Sequence, residues 1–201
     1  MSVMETEDWT ERLVAHGAEV LELAFQCYYP RLEALVRFRM SGALSSRLDP
    51  EDVLQESFLV INQRLEEFRE RPAVSAFVWM RQLTLQKLVD LQRHHFGQKR
   101  DPQKEQHRRD YSAALSITRY LESQHTSPTG VARRNEELEK LREALLTMSE
   151  TDQEIVAMRH FEQMSNRETA ESLGISEKAA SNRYVRALAQ LKKIMNLPGQ
   201  S

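Results

Sequence analysis

Apolar side chains recur at helical spacing along most of the chain. From Ala18 to Met40, Val20, Leu21, Leu23, Ala24, Tyr28, Leu32, Leu35 and Val36 mark a helix or a bent pair, with Pro30 at the bend. Ser41 to Arg47 reads as a loop. Asp49-Pro50-Glu51-Asp52 then opens a long helix: Asp49 is the cap, Pro50 takes the first helical position, and the acids face the positive end of the helix dipole. Leu54, Phe58, Ile61, Leu65 and Phe68 form its apolar stripe, which leaves Asp52, Gln55, Glu56, Leu59, Asn62 and Gln63 on the flanks and outside.

Arg71-Pro72 ends that element, and a further helix runs from Ser75 to about His95 with Phe77, Met80, Thr84, Leu88 and Leu91 inward. Trp79, Gln82, Gln86 and Arg93 point away, with Lys87 and Asp90 nearby. These groups suit stacking on unpaired bases and holding phosphates. Packing against a neighbouring helix is the more common fate of a lone Trp. His94-His95 reads as a basic helix end. Two polar breaks, Gly97 to Glu105 and Gln124 to Gly130, enclose a weak amphipathic helix marked by Tyr111, Leu115, Thr118 and Leu121, so residues 98–134 are expected to be a linker.

Past Asn135, Leu138, Leu141, Leu145 and Met148 share a face, Ser149 caps the next helix, and Ile155, Val156 and Phe161 follow. Ser165 with Glu168 fits a capping box, Gly174 can take positive φ past a helix end, and Ser176 can cap the last helix. That is the punctuation of a helix-turn-helix. In the last helix Ala180, Tyr184, Ala187, Leu188, Leu191, Ile194 and Met195 form the core side, with Lys178, Asn182, Arg186 and Lys193 opposite. Lys, Arg and Asn on an outward helix face suit base edges in a major groove. An ordinary helical hairpin with a solvated basic face fits the same residues.

Few glycines, prolines and aromatics among 201 residues favour an all-α fold. The expected architecture is two small helical domains joined by a linker, the C-terminal one a four-helix unit containing the helix-turn-helix. Residues 1–16 are expected to be a mobile N-terminus, 17–97 the first domain and 135–197 the second. The single cysteine, Cys27, excludes an intramolecular disulfide, makes a structural zinc site improbable and is expected in the core. No cofactor, metal or catalytic residue is expected, because no nucleophile–base pair, phosphate loop or ligand cluster is visible. The chain carries no apolar run long enough for a membrane span and no signal peptide, so a cytoplasmic protein is expected.

The net charge of -2 conceals segregation. Asp49 to Glu70 holds seven acids against two arginines, Met80 to Arg109 eight basic residues against three acids, and Lys178 to Met195 five basic residues and no acid. One acidic and two basic surfaces can serve different partners.

In that order and spacing the segments resemble the bacterial sigma factors of RNA polymerase, in particular the short two-domain extracytoplasmic-function group. Asp49-Pro50-Glu51-Asp52-Val53-Leu54-Gln55-Glu56-Ser57-Phe58 is similar to the family's polymerase-clamp-binding helix. Phe77-Val78-Trp79-Met80, with Asp90 and Arg93, resembles the helix that melts and reads the minus-10 element. Met148-Ser149-Glu150 through Leu191 resembles domain four, with Arg159-His160-Phe161, Ala170, Leu173-Gly174-Ile175-Ser176 and Arg183. Leu85-Gln86 stands where many members carry Arg-Asn, Thr169 where Ile is usual, and Ala179-Ala180 where a Val-Lys-type pair is commoner.

The resemblance implies core-polymerase binding by Asp49, Asp52, Gln55, Glu56 and Leu59. It implies minus-10 contacts by Trp79, Gln82, Gln86, Lys87 and Arg93, and minus-35 contacts by Lys178, Ser181, Asn182, Arg183 and Arg186. Its implied partners are the clamp and flap regions of core RNA polymerase, promoter DNA and, as a further candidate, an anti-sigma factor. Near-neutral total charge implies weak DNA affinity alone, raised when the polymerase holds both domains. The alternative is a dimeric helix-turn-helix regulator that is not a sigma subunit, which predicts polymerase-independent binding to a palindrome.

Overall fold

The computed structural model describes residues 8–40, 42–96, 113–123 and 131–195, all helices and connections with no strand among them. Two compact units are present: of the described residues, one holds those up to 96 and 171–174, the other 113–123, 131–170 and 175–195. The expected all-α class is what the structure has.

The first unit is built from α1 (Trp9–His16), α2 (Ala18–Arg39), α3 (Gly42–Ser45), α4 (Pro50–Gln63), α5 (Leu65–Glu70) and α6 (Ala76–Phe96). Helices α2, α4 and α6 pack mutually and enclose Leu32, Leu35, Leu54, Ile61, Phe77, Met80 and Leu88. Aromatic edges tie the layer together: Phe25 meets Phe58 at 4.9 Å and Tyr28 meets Phe77 at 5.3 Å. Such pairs contribute about 0.5–1.5 kcal/mol beyond area burial. The start of α4 follows its cap chemistry, with Pro50 at the first helical position and Asp52 Oδ2 accepting from the Asp49 amide at 3.1 Å.

Three local expectations need correction. The stretch 1–16, expected to be a mobile N-terminus, holds a packed helix in its second half. Trp9–His16 is a helix, capped by Asp8, that buries Trp9 and Leu13 against α2 and α5. The Thr10 hydroxyl accepts from the Ala76 amide at 3.0 Å, a partner 66 residues away that local patterning cannot reveal. Gly17 makes the corner to α2 at φ 53, where an added Cβ would lie 2.9 Å from the Arg69 guanidinium. Of the two alternatives for α2, a helix or a bent pair, it is one helix through Pro30. The stretch expected to be a loop after it holds the short α3, and the long acidic helix is interrupted at Arg64.

The second unit contains α7 (Ala113–Ser123), α8 (Val131–Leu146), α9 (Glu150–Val156), a π-helical turn over Ala157–Phe161, the first five residues of α10 (Asn166–Leu173), whose last three belong to the first unit, and α11 (Glu177–Met195). Gln153, buried in α9, donates its side-chain amide to the carbonyls of Leu145 and Met148 at 3.0 and 3.1 Å. It thereby satisfies the orphan acceptors where α8 ends. Helix α7 belongs to this unit: it packs on α8, α9 and the π-turn, and the Tyr120 ring meets Phe161 at 5.6 Å. Part of the stretch read as a linker is thus a packed element whose small buried face, Ala113, Ala114 and Ile117, is completed by its neighbours. The expected breaks at 97–105 and 124–130 and Tyr111 lie outside the described residues. No helix among the described residues is long and apolar enough to cross a membrane.

Candidate functional site

Three helix faces collect the residues singled out by the sequence. On α4, Val53, Leu54, Ser57 and Ile61 are buried, whereas Asp52, Gln55, Glu56 and Leu59 are exposed at i, i+3, i+4 and i+7, with Asp49 exposed at the cap. Leu59 is 54% exposed. Its outward position amid acids and amides is what a docking face needs: an apolar anchor with a polar surround. Beside it, an open groove of about 670 Å³ runs between α2 and α4, lined by Phe25, Tyr29, Phe58 and Leu59 with Glu22 and Glu51 at its rim. Partial burial, followed by the carboxylates of Glu51 and Glu33, pushes the Tyr29 phenol above its ordinary pKa against the pull of Arg37. The groove wall therefore carries a neutral hydroxyl at physiological pH. The α2 side of this face escaped sequence reasoning, since Glu22 and Tyr29 carry no motif and are brought to α4 only by tertiary packing.

On α6, Gln82, Gln86 and Arg93 are exposed and Lys87 is half-buried. Three of the five candidates have partners within the unit. Lys87 Nζ lies 2.9 Å from Glu56 Oε2 across the α4–α6 contact, which links two surfaces that the sequence treats separately. Trp79 is half-buried and stacks on Phe68, ring centroids 4.3 Å apart at 18°. One face of the Trp79 indole is thus taken up by packing, the alternative raised by its sequence context. Arg93 lies 3.7 Å from Asp90 with both side chains largely exposed, a contact that water and salt screen.

The helix-turn-helix is built as its punctuation requires. Glu168 Oε2 accepts from the Ser165 amide at 2.7 Å while Ser165 Oγ accepts from the Glu168 amide at 3.1 Å, a reciprocal capping box. Gly174 has φ 64 with nothing within 4 Å of an added Cβ, so the glycine answers a backbone need and not a packing one. Ser176 Oγ accepts from the Ala179 amide at 3.2 Å and starts α11. Thr169 is fully buried and donates to the Ser165 carbonyl at 2.8 Å, which resolves the hydroxyl standing where an Ile is usual.

Along α11, Ala180 and Ala187 are buried, Tyr184, Leu191, Ile194 and Met195 are half-buried, and Lys178, Ser181, Asn182, Arg183 and Arg186 are exposed. Leu188 departs from the expected core stripe and is 39% exposed. Arg183 Nη1 lies 3.7 Å from Asp152 Oδ1 on α9, a position on the flank of the outward face. The Arg159 side chain of the π-turn donates to the Met164 carbonyl at 2.6 Å and lies 5.5 Å from the Tyr184 ring. It braces the approach to α10 rather than facing outward.

Residues 24–94 match the family model for sigma-70 region 2, and residues 138–191 match that for sigma-70 region 4. No curated protein matches the sequence. Among solved structures, that of CnrH in complex with the cytosolic domain of CnrY aligns at 20% identity and a TM-score of 0.50, covering 94% of this chain and 96% of the other. The RsbN-BldN complex aligns at 17% identity and a TM-score of 0.33, covering 92% and 98%, too loose a likeness to carry an argument. The first shares the fold.

Proposed function

Because the chain belongs to the sigma-70 family, with region 2 over 24–94 and region 4 over 138–191, we propose that it binds core RNA polymerase and directs it to promoters, reading minus-10 and minus-35 elements and assisting melting. Action as a sigma factor in transcription initiation follows from the family. The presence of regions 2 and 4 supports the two-domain extracytoplasmic-function group. The observation that carries the finer reading is the exposed row Asp52, Gln55, Glu56 and Leu59 on α4, which serves no core and presents one apolar anchor among acids and amides.

In this reading the α4 face docks on the polymerase clamp. The α6 face, with Gln82, Gln86, Lys87 and Arg93, engages the minus-10 DNA, and the outward face of α11 enters the minus-35 major groove through Lys178, Ser181, Asn182, Arg183 and Arg186. The flap region is the proposed polymerase partner of the second unit. The protein performs no catalysis of its own and works in the cytoplasm, where its polymerase and DNA reside. An anti-sigma partner is supported by one likeness of fold, since CnrH was solved in complex with the cytosolic domain of CnrY.

Run-off transcription with purified core polymerase and a genomic library of promoter fragments tests this directly, with an Asp52→Arg, Glu56→Arg variant for comparison. Promoter-specific transcripts from the wild type, lost in the variant, are expected. Absence of any specific transcript from the wild type overturns the assignment; normal transcription by the variant overturns only the docking face.

A further inference from the structure

Side chains at i, i+3, i+4, i+7 and i+8 of a helix share a face, and on α11 that set from Lys178 is Ser181, Asn182, Val185 and Arg186. Four of these five are polar or cationic. The fifth, Val185, is 62% exposed, the highest value among the exposed large apolar side chains of the described residues. At 3.6 residues per turn it projects almost opposite the buried pair Ala180 and Ala187. It therefore contributes nothing to the core of its unit. A single exposed apolar side chain is ordinary on a protein surface; this one stands in the middle of the face whose other members suit base edges and phosphates, on a helix with no acid after Glu177.

We infer that Val185 is a specificity residue: its side chain meets the C5-methyl group of a thymine in the minus-35 duplex. The inference rests on the minus-35 reading above. In the major groove the thymine methyl is the one base-edge group with no hydrogen-bonding capacity, so only apolar contact can read it. Flanking Asn182 and Arg186 can bond adenine and guanine edges, but neither distinguishes the methyl. Valine is short and stiff at χ1, so its two methyls are held in place without an entropic loss on binding.

The test uses the full chain assembled with core polymerase and a promoter fragment obtained by run-off selection. Each thymine of the minus-35 element, on either strand, is replaced in turn by deoxyuridine, which lacks only the methyl. For the wild type, one replacement is expected to weaken binding about fourfold, the equivalent of one apolar carbon returned to water. V185A is expected to bind thymine and deoxyuridine equally at that position, and V185T, which keeps one methyl, to recover part of the difference. Because the side chain is exposed, the unfolding midpoint of V185A should match the wild type and confirm that it is folded. A wild type insensitive at every thymine, or V185A with undiminished sensitivity, overturns the inference while leaving the promoter reading intact. No promoter-specific binding or transcription at all overturns both.

Discussion

Lys87 and Glu56 meet at 2.9 Å, joining the α6 face proposed for minus-10 DNA to the α4 face proposed for polymerase. With side chains 22% and 48% exposed, the pair is partly screened and contributes about 0.2–1 kcal/mol to folding. Glu56→Lys or Lys87→Glu alone should lower stability by about that amount or slightly more, since each sets like charges together. The double exchange should restore the urea midpoint but not polymerase binding, because the acid has left the docking face. Recovery of both would show that Glu56 serves the fold alone.

The capping box and Gly174 set the geometry of the helix-turn-helix from local chemistry. Ser165→Ala should cost about 1 kcal/mol, and Gly174→Ala about 1–2 kcal/mol. Gly174→Asn should cost less than Gly174→Ala, since Asn tolerates left-handed backbone better. Equilibrium denaturation of the three variants reads the order; equal losses for Ala and Asn would contradict a purely conformational role for Gly174.

For Trp79, stacking on Phe68 predicts a stability effect ahead of a promoter effect. Trp79→Phe retains an aromatic partner and should cost no more than about 1 kcal/mol, whereas Trp79→Ala should cost about 2–3 kcal/mol, less than a fully buried aromatic. If Trp79→Phe unfolds like the wild type yet fails to open promoter DNA in a permanganate-reactivity assay, Trp79 touches bases as well.

Among the minus-35 candidates, Asn182 and Arg186 lie on the outward face of α11, while Arg183 on its flank reaches Asp152. Asn182→Ala and Arg186→Ala should each cost about 1–3 kcal/mol of binding and relax one base position. Arg183→Ala should weaken all sequences evenly. Competition binding by the holoenzyme across single-base variants separates these patterns, and a base-specific effect of Arg183→Ala would reverse their assignment.

What the sequence disclosed was chemistry between neighbours along the chain. Asp49 at the cap of α4, Ser165 with Glu168, and Gly174 all stand as expected, because caps and positive-φ turns are set within a few residues. The class of fold and the outward α4 row were legible for the same reason, the helical period. Contacts between distant segments were not. Trp9 and Leu13 make too short a stripe to announce α1, and their support comes from α2, α5 and the Ala76 amide. The Lys87–Glu56 pair, the groove beside Leu59 and the docking of α7 likewise exist only once helices are assembled. The exposure of Val185 and Leu188 depended on where α11 turns its back to its neighbours, a rotation that counting apolar positions resolves only coarsely.

Both tryptophans of the chain, Trp9 and Trp79, lie in the first unit, one buried and one stacked on Phe68. Selectively excited tryptophan emission is consequently a private reporter of that unit, whereas far-ultraviolet circular dichroism sums the helices of both. A cap deletion such as Ser165→Ala should shift the dichroism transition and leave the emission transition in place if the units unfold independently. Displacement of both together would identify them as one cooperative block. The placement of two indoles thus gives a label-free assay that follows the first unit on its own.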